Sequence, residues 1–178
     1  MLERALLITG TVGVGKSTIG REVCRVLSDR QEPNAFVDLD QLSGCWPRPA
    51  DDPFNTRLTA ENFGCVTANF ASAGAQSVVA AGVIETEAVL DLYERAVGRA
   101  ITVVRLIAPA SVVDERLRHR HRDDPNGLAW YLERARVLDA ILDASPVAVR
   151  VVDATSSPRA VAHSVLGATG WAVGTTAR

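Results

Sequence analysis

Three sets of residues in this 178-residue chain have the types and spacing to do chemistry. The first is Gly10-Thr11-Val12-Gly13-Val14-Gly15-Lys16-Ser17, followed by Thr18. Its Gly-x-x-x-x-Gly-Lys-Ser spacing is that of a phosphate-binding (Walker A) loop. Glycines let the backbone take left-handed conformations and turn its N–H groups inward, so the stretch of Gly10, Val12, Gly13, Val14 and Gly15 makes a nest for an anion. A helix opening at Lys16, Ser17 and Thr18 directs its positive dipole end at the same point. Lys16 brings a full positive charge to the β- and γ-phosphates of a nucleotide, and the Ser17 hydroxyl is placed to ligate Mg²⁺.

The second set is acidic. Asp38 and Asp40 lie in Phe36-Val-Asp-Leu-Asp-Gln41, at the carboxyl end of an apolar run. Ligands bind at that end of a parallel sheet, and side chains two apart on an extended segment point the same way. One carboxylate then holds Mg²⁺ through water while the other accepts the proton of an attacking hydroxyl, the two tasks phosphoryl transfer asks of nearby acids. Two turn-forming aspartates after a strand are the plainer alternative. After the later run Val78-Val-Ala-Ala81, Gly82 stands where a Walker B acid conventionally falls, and the next acid is Glu85. Glu85 is either a metal-shell or acceptor ligand or an N-terminal charge for the following helix. Gly82 offers a place where a substrate can approach the backbone closely.

The third set is basic: Arg116, Arg118, Arg120 and Arg122, with His119 and His121 between them, before a turn at Asp123-Asp124-Pro125. Positions 116 and 120 share a helical face, as do 118 and 122. Such a run is either a solvated helix face or a hinged lid that brings an arginine onto the transferring phosphate, and such arginines contribute about 10³ to 10⁵ in rate. The two histidines lack a ligand-spaced partner set.

Elements of alternating period must position these groups. Strands are expected over 6–9, 35–39, 77–81, 101–107 and 147–152. Helices are expected after the glycine loop and over 59–74, 86–96 and 111–120, with a further helix carrying Leu128, Leu132, Ala135, Leu138 and Leu142 on one side. Ser157 caps a last helix with Pro158 at its first position, where a missing N–H costs nothing. Strands alternating with helices predict a parallel sheet covered on both faces. The expectation is one domain over 1–171 and a short tail over 172–178.

Composition narrows the class of partner. With 47% hydrophobic and 22% charged residues the chain has the make-up of a globular domain, and its net charge of -2 gives no overall attraction to nucleic acid or to an anionic membrane. The apolar run at 5–8 is shorter than a signal-peptide core and reads as a strand, and no stretch approaches the roughly 20 apolar residues of a membrane span. Cys24, Cys45 and Cys65 fit neither a disulfide framework nor a zinc site, so they read as reduced thiols of a cytoplasmic protein. A small-molecule acceptor is the expected partner, with the chain a monomer or a homodimer.

Together the glycine loop, Asp38-Leu-Asp40, the basic run and Val151-Val-Asp-Ala-Thr155 resemble the small-molecule and nucleotide kinases of the P-loop superfamily, with shikimate kinase, gluconate kinase, adenylylsulfate kinase and chloramphenicol phosphotransferase similar in outline. The resemblance implies an α/β P-loop NTPase three-layer sandwich, a five-stranded parallel sheet of order 2-3-1-4-5 and a short Arg-rich lid. It implies ATP and Mg²⁺ as cofactors, Asp40 as acceptor-binding base and Asp38 as the carboxylate that holds Mg²⁺ through water. Arg116 is implied to pack on adenine, Arg120 and Arg122 to be the lid arginines, and residues 153–158, including Thr155 and Pro158, to border the base. The triple glycine of shikimate kinase is replaced here by Gly82-Val-Ile-Glu85, and that family's Arg-bearing acceptor motif is missing. Acceptor identity is therefore expected in Trp46, Arg48, Asp51, Asp52, Phe54, Arg57 and Glu85, with Asp40 and Gly82 beside them.

The expected function is transfer of the γ-phosphate of ATP to a hydroxyl of a sugar, nucleoside, polyol or hydroxylated antibiotic. A regulatory GTPase uses the same loop, but its guanine-reading Asn/Thr-Lys-x-Asp motif is missing here. A nucleic-acid end kinase would use the basic run on a phosphate backbone, which the acidic total argues against. An ATP-binding protein without transfer activity is the third alternative.

Overall fold

The computed structural model describes residues 2–147 and 150–171. Among them five strands, β1 (Arg4–Thr9), β2 (Asn34–Asp38), β3 (Ser77–Ala81), β4 (Thr102–Ile107) and β5 (Arg150–Asp153), form one parallel sheet in the order β2-β3-β1-β4-β5. The helices are α1 (Lys16–Asp29), α2 (Thr56–Ser72), α3 (Glu87–Val97), α4 (Ala110–Arg120), α5 (Pro125–Ala144) and α6 (Pro158–Thr169), with a single 3₁₀ turn over Leu39–Leu42.

The period-2 alternation of the central strands feeds two cores. Leu6 and Ile8 of β1, Val79 of β3 and Val104 and Leu106 of β4 face one side, where Ile19, Val23, Val26 and Leu27 of α1 meet Val161, Ala162, Val165 and Leu166 of α6. Ala5, Leu7, Val78, Ala80 and Val103 face the other, against Ala60 and Phe63 of α2 and Tyr93 of α3. Phe63 is 1% exposed and stands 5.9 Å from Tyr93 between ring centroids. Burying a side chain of this kind contributes about 1.5–3 kcal/mol, so the α2–α3 layer is fixed largely by this contact.

Strand β4 carries an exception to its apolar pattern. Arg105 is only 6% exposed and makes ion pairs of 2.8 Å with both Asp139 and Asp143 of α5. A buried guanidinium is tolerated only when its charge is matched, so these two carboxylates tie α5 to the sheet. Helices α4 and α5 then close a small third core of Val113, Leu117 and Ala135, into which Val12 of the glycine loop also packs.

Two boundaries differ from the pattern of the sequence. Strand β2 ends at Asp38 because the Asp38 carboxylate accepts a hydrogen bond from the Asp40 N–H at 3.3 Å, which turns the chain into the 3₁₀ segment before Leu39 can extend the strand. Strand β5 begins at Arg150; Val147 is buried ahead of it, and residues 148 and 149, like the 172–178 tail, lie outside the described residues. No helix among the described residues is long and apolar enough to cross a membrane.

Candidate active site

With β1 at the centre of the sheet, the loop after it lies between the carboxyl ends of β3 and β4. The glycines there have no room for another residue. A Cβ on Gly10 would stand 2.6 Å from the Leu106 carbonyl oxygen, and one on Gly13 2.8 Å from Leu117 of α4. Gly10, Gly13 and Gly15 have φ of 142°, 82° and 110°, a region that L side chains rarely enter. Positive φ at three positions between Gly10 and Gly15 is the backbone feature with which a loop can turn N–H groups inward as a nest.

Lys16 opens α1 and folds back over this loop, donating from Nζ to the carbonyls of Gly10 (3.0 Å) and Thr11 (3.1 Å). Its ammonium is pushed down from 10.5 to about 8, mainly by burial; Asp40 and Asp38 oppose that shift and Arg120 adds to it. All three charges thus act on the Lys16 ammonium, Asp38 and Asp40 from the carboxyl end of β2 and Arg120 from the end of α4. Ser17 follows Lys16 on the first turn of α1, half-buried, with Thr18 exposed beside it.

The arginine run divides by helical face. Arg116 donates from Nη1 to the Val14 carbonyl and from Nη2 to the Ala154 carbonyl, both at 2.8 Å, and so bridges the glycine loop to the β5–α6 turn. Arg120, one helical turn on, faces the same way. Arg118 instead pairs with Asp114 at 3.5 Å, and Arg122 with Asp123 at 3.3 Å with 74% of its side chain exposed. The structure therefore ties Arg116 to the loop, and leaves both Arg120, which acts on Lys16 through its charge, and Arg122 exposed. Beyond Ala154, Thr155 donates from its N–H to Asp153 at 2.7 Å and also from its hydroxyl, which holds the Asp153 carboxyl below its usual range. Pro158 then opens α6, capped by the Ser157 side chain.

The opposite wall is assembled from side chains. Asp38 pairs in register with Ala81, so the ends of β2 and β3 are adjacent and Asp40 projects from the turn just beyond. The Asp40 carbonyl accepts from the Ser43 hydroxyl at 2.9 Å, and Asn55 donates to the carbonyls of Ser43 (2.8 Å) and Cys45 (3.0 Å). This chain of bonds holds the 43–55 segment against the Asp40 turn, with Trp46 89% and Phe54 65% exposed on it. Arg57 is engaged by Asp51 at 2.9 Å and Asp52 at 3.9 Å. The space beside Gly82 is filled by Leu39, whose Cδ1 would stand 2.6 Å from an added Cβ, so this glycine admits the Leu39 side chain.

After Gly82 the chain stays close to β1. The Gly82 N–H donates to the Ile8 carbonyl at 3.2 Å and the Ile84 N–H to the Thr9 hydroxyl at 3.3 Å, which delivers Glu85 to the edge of the glycine loop. There Glu85 makes an ion pair of 3.0 Å with Arg134 of α5, whose guanidinium lies 5.8 Å from the centroid of the Phe54 ring. Helix α5 is itself held to the loop, because the Thr11 hydroxyl donates to the Ala135 carbonyl at 2.6 Å. The following helix is capped by Thr86, whose side chain accepts from the Val89 N–H, and the acidic residue in its first turn is Glu87. Arg134, Thr9, Thr11 and Arg105 carried no local signal in the sequence; each gains its place from a partner dozens of residues away.

A nucleotide and Mg²⁺ fit these groups. Among the described residues no cluster of three or more His, Cys, Asp or Glu side chains could hold a metal unaided. A hydroxyl at Ser17 and one carboxylate at Asp38 suit a hard ion that keeps waters and takes its remaining ligands from phosphate.

No protein-family model and no curated protein matches the chain. Solved structures do. A gluconokinase from Sinorhizobium meliloti 1021 is 17% identical with a TM-score of 0.63 over 96% of this chain and 93% of that one. A tunicamycin resistance protein from Deinococcus radiodurans is 18% identical with a TM-score of 0.64 over 94% and 96%. The APS kinase of Mycobacterium tuberculosis, in complex with AMPPNP and APS, is 21% identical with a TM-score of 0.54 over 96% and 99%. The chain has the fold of the P-loop small-molecule kinases, with the strand order and the three layers that the resemblance in its sequence implied.

Proposed function

We propose that the chain is an ATP- and Mg²⁺-dependent kinase that transfers the γ-phosphate to a hydroxyl of a small molecule: a sugar, nucleoside, polyol or hydroxylated antibiotic. The observation that carries this reading is Lys16 folded over the glycine loop after β1, with Asp38 and Asp40 at the carboxyl end of β2 acting electrostatically on it. A loop that only held a nucleotide would need no second carboxylate facing the lysine. The neighbours of the same fold, among them a kinase solved with AMPPNP, support an adenine nucleotide.

In this mechanism the inward N–H groups of residues 10–18 bind the β- and γ-phosphates, and Arg116 and residues 154–158 flank the adenine. Ser17, and Asp38 through water, would hold Mg²⁺, which would supply charge to neutralise the phosphate oxygens. Asp40 orients the acceptor hydroxyl and takes its proton. The acceptor oxygen forms a bond to the γ-phosphorus as the bond from that phosphorus to the β–γ bridging oxygen breaks, and the electron pair leaves with ADP. Lys16 and Arg120 stabilise the charge spread over the transferring group, with Arg122 available to them only if the turn after α4 closes.

The test follows ADP release with ATP and Mg²⁺ over a panel of neutral and cationic sugars, polyols, nucleosides and hydroxylated antibiotics. At least one is expected to raise ADP release well above the acceptor-free background. Stimulation by anionic compounds alone, such as shikimate or a nucleoside monophosphate, would overturn the acceptor class. Nucleotide binding with no acceptor-dependent ADP across both panels would favour a protein that binds ATP without transfer.

A further inference from the structure

Arg134 has no part in the mechanism above, yet it sits where the acceptor must lie. Two independent tethers put it there: the Thr11–Ala135 bond fixes the adjacent residue of α5 on the glycine loop, and the Thr9–Ile84 bond fixes the residue before Glu85 at the end of β1. Its guanidinium is 26% exposed, faces the Phe54 ring and is neutralised by Glu85 at 3.0 Å. A guanidinium on an aromatic wall beside a phosphate loop is otherwise a ready receptor for a carboxylate or phosphate on a substrate.

We infer that the Glu85–Arg134 pair sets the charge class of the acceptor. This rests on the kinase reading for the location of the acceptor, and it names what that site admits. Arg57 is taken by Asp51, Arg48 donates to the Pro53 carbonyl at the exposed rim, and Arg134 is taken by Glu85. An acceptor bearing a carboxylate would have to displace Glu85 from Arg134 and sit beside the freed Glu85 carboxylate. A neutral or cationic hydroxyl compound meets a satisfied ion pair, the open remainder of Phe54 and the Asp40 carboxylate. Glu85 is thus a specificity-determining residue that acts by occupying Arg134.

The experiment titrates the full chain, saturated with Mg²⁺ and AMPPNP, with gluconate and with sorbitol, which differ by a carboxylate in place of a hydroxymethyl group. Calorimetry is run on the native chain, Glu85→Gln, Arg134→Gln and the double variant, each checked for folding by its thermal melt. Glu85→Gln is expected to bind gluconate at least about tenfold more tightly than the native chain, as one unmatched charge-assisted hydrogen-bond pair provides. Sorbitol affinity should not follow, and the double variant should return gluconate to the native level. No gain in Glu85→Gln, including no measurable gluconate binding by either protein, would overturn the inference, as would native gluconate binding that disappears in Arg134→Gln. ADP release in the same preparations over the full panel of acceptors reports separately on the kinase reading: its absence across that panel would sink that reading whatever the titration gives.

Discussion

The two sides of the candidate site are built by different means. The nucleotide side is mainly backbone: an eight-residue loop whose Gly10 and Gly13 leave no space for a Cβ, closed by Arg116 onto two carbonyls. The acceptor side is mainly side chains, drawn from the Asp40 turn, the 43–55 segment, Glu85 and Arg134, with Trp46 and Phe54 largely in solvent. A backbone nest binds any phosphate of the right size and cannot change without collapsing. A wall of side chains can be recast one residue at a time while the sheet behind it stays the same. The first kind of construction fixes the reaction class and the second the substrate.

The largest effect should come from the nucleotide side. Lys16→Ala removes the ammonium that the loop aims at the β- and γ-phosphates, and no other loop residue can supply that charge. Acceptor-dependent turnover should fall by about 10³ or more, in the range typical for removing a preorganised electrostatic group. The measurement is ADP release by a variant shown to be folded; near-native turnover would remove the loop from the mechanism and with it the division between the two sides.

Asp40→Asn should divide them cleanly. If Asp40 serves the acceptor alone, turnover should drop by about 10² to 10⁴, the usual contribution of a general base, while AMPPNP affinity, measured at a pH below the onset of the Lys16 titration in either protein, stays near native. Turnover unchanged with an established acceptor would take Asp40 out of the chemistry. A loss of nucleotide affinity instead would give Asp40 the metal and Asp38 the proton.

The contrast also explains what was legible before the fold was known. The glycine loop could be read because backbone function leaves a fixed spacing in consecutive residues, and strands alternating with helices predicted a parallel sheet, whose order came from the family resemblance. Asp38 and Asp40 could be read because they lie at a strand end. Arg116 and Arg120 separate from Arg118 and Arg122 by helical period, so the face was readable but which face met the loop was not. Arg134 looked like any charged residue of a long helix, since its partners Glu85 and Phe54 are 49 and 80 positions away (134 − 85 and 134 − 54). Gly82 read as room for a substrate, and only the position of Leu39 accounts for it. Arg105 lay hidden inside an apolar strand because its two carboxylates come from α5.

The smallest effect expected concerns the one residue that both sides share. Burial holds Lys16 at about 8 in the ligand-free protein, below the 10.5 of an unfolded lysine. Between those values the unfolded chain binds the extra proton, so this group makes the ligand-free protein more stable as pH rises from about 8 to 10.5. Nucleotide binding has the opposite sign. Phosphate oxygens beside Lys16 favour its charged form and raise its pKa, so above pH 8 binding takes up a proton and affinity should fall as pH rises, by at most about tenfold per unit for a single proton. Saturating Mg²⁺ lowers the terminal phosphate pKa of AMPPNP, so that proton uptake at pH 8.5 reports mainly on Lys16. Titrating AMPPNP from pH 7 to 9.5, with proton uptake read at pH 8.5 in two buffers of different ionisation enthalpy, measures this directly. A flat profile would mean that Lys16 keeps its proton in the empty site. Asp40→Asn sharpens the point: Asp40 is the leading group that opposes the effect of burial on Lys16, so without it the fall in affinity should begin at lower pH. An unmoved profile in Asp40→Asn would show that the acceptor carboxylate and the phosphate lysine are electrostatically independent, and that the two sides of the site do not meet at Lys16.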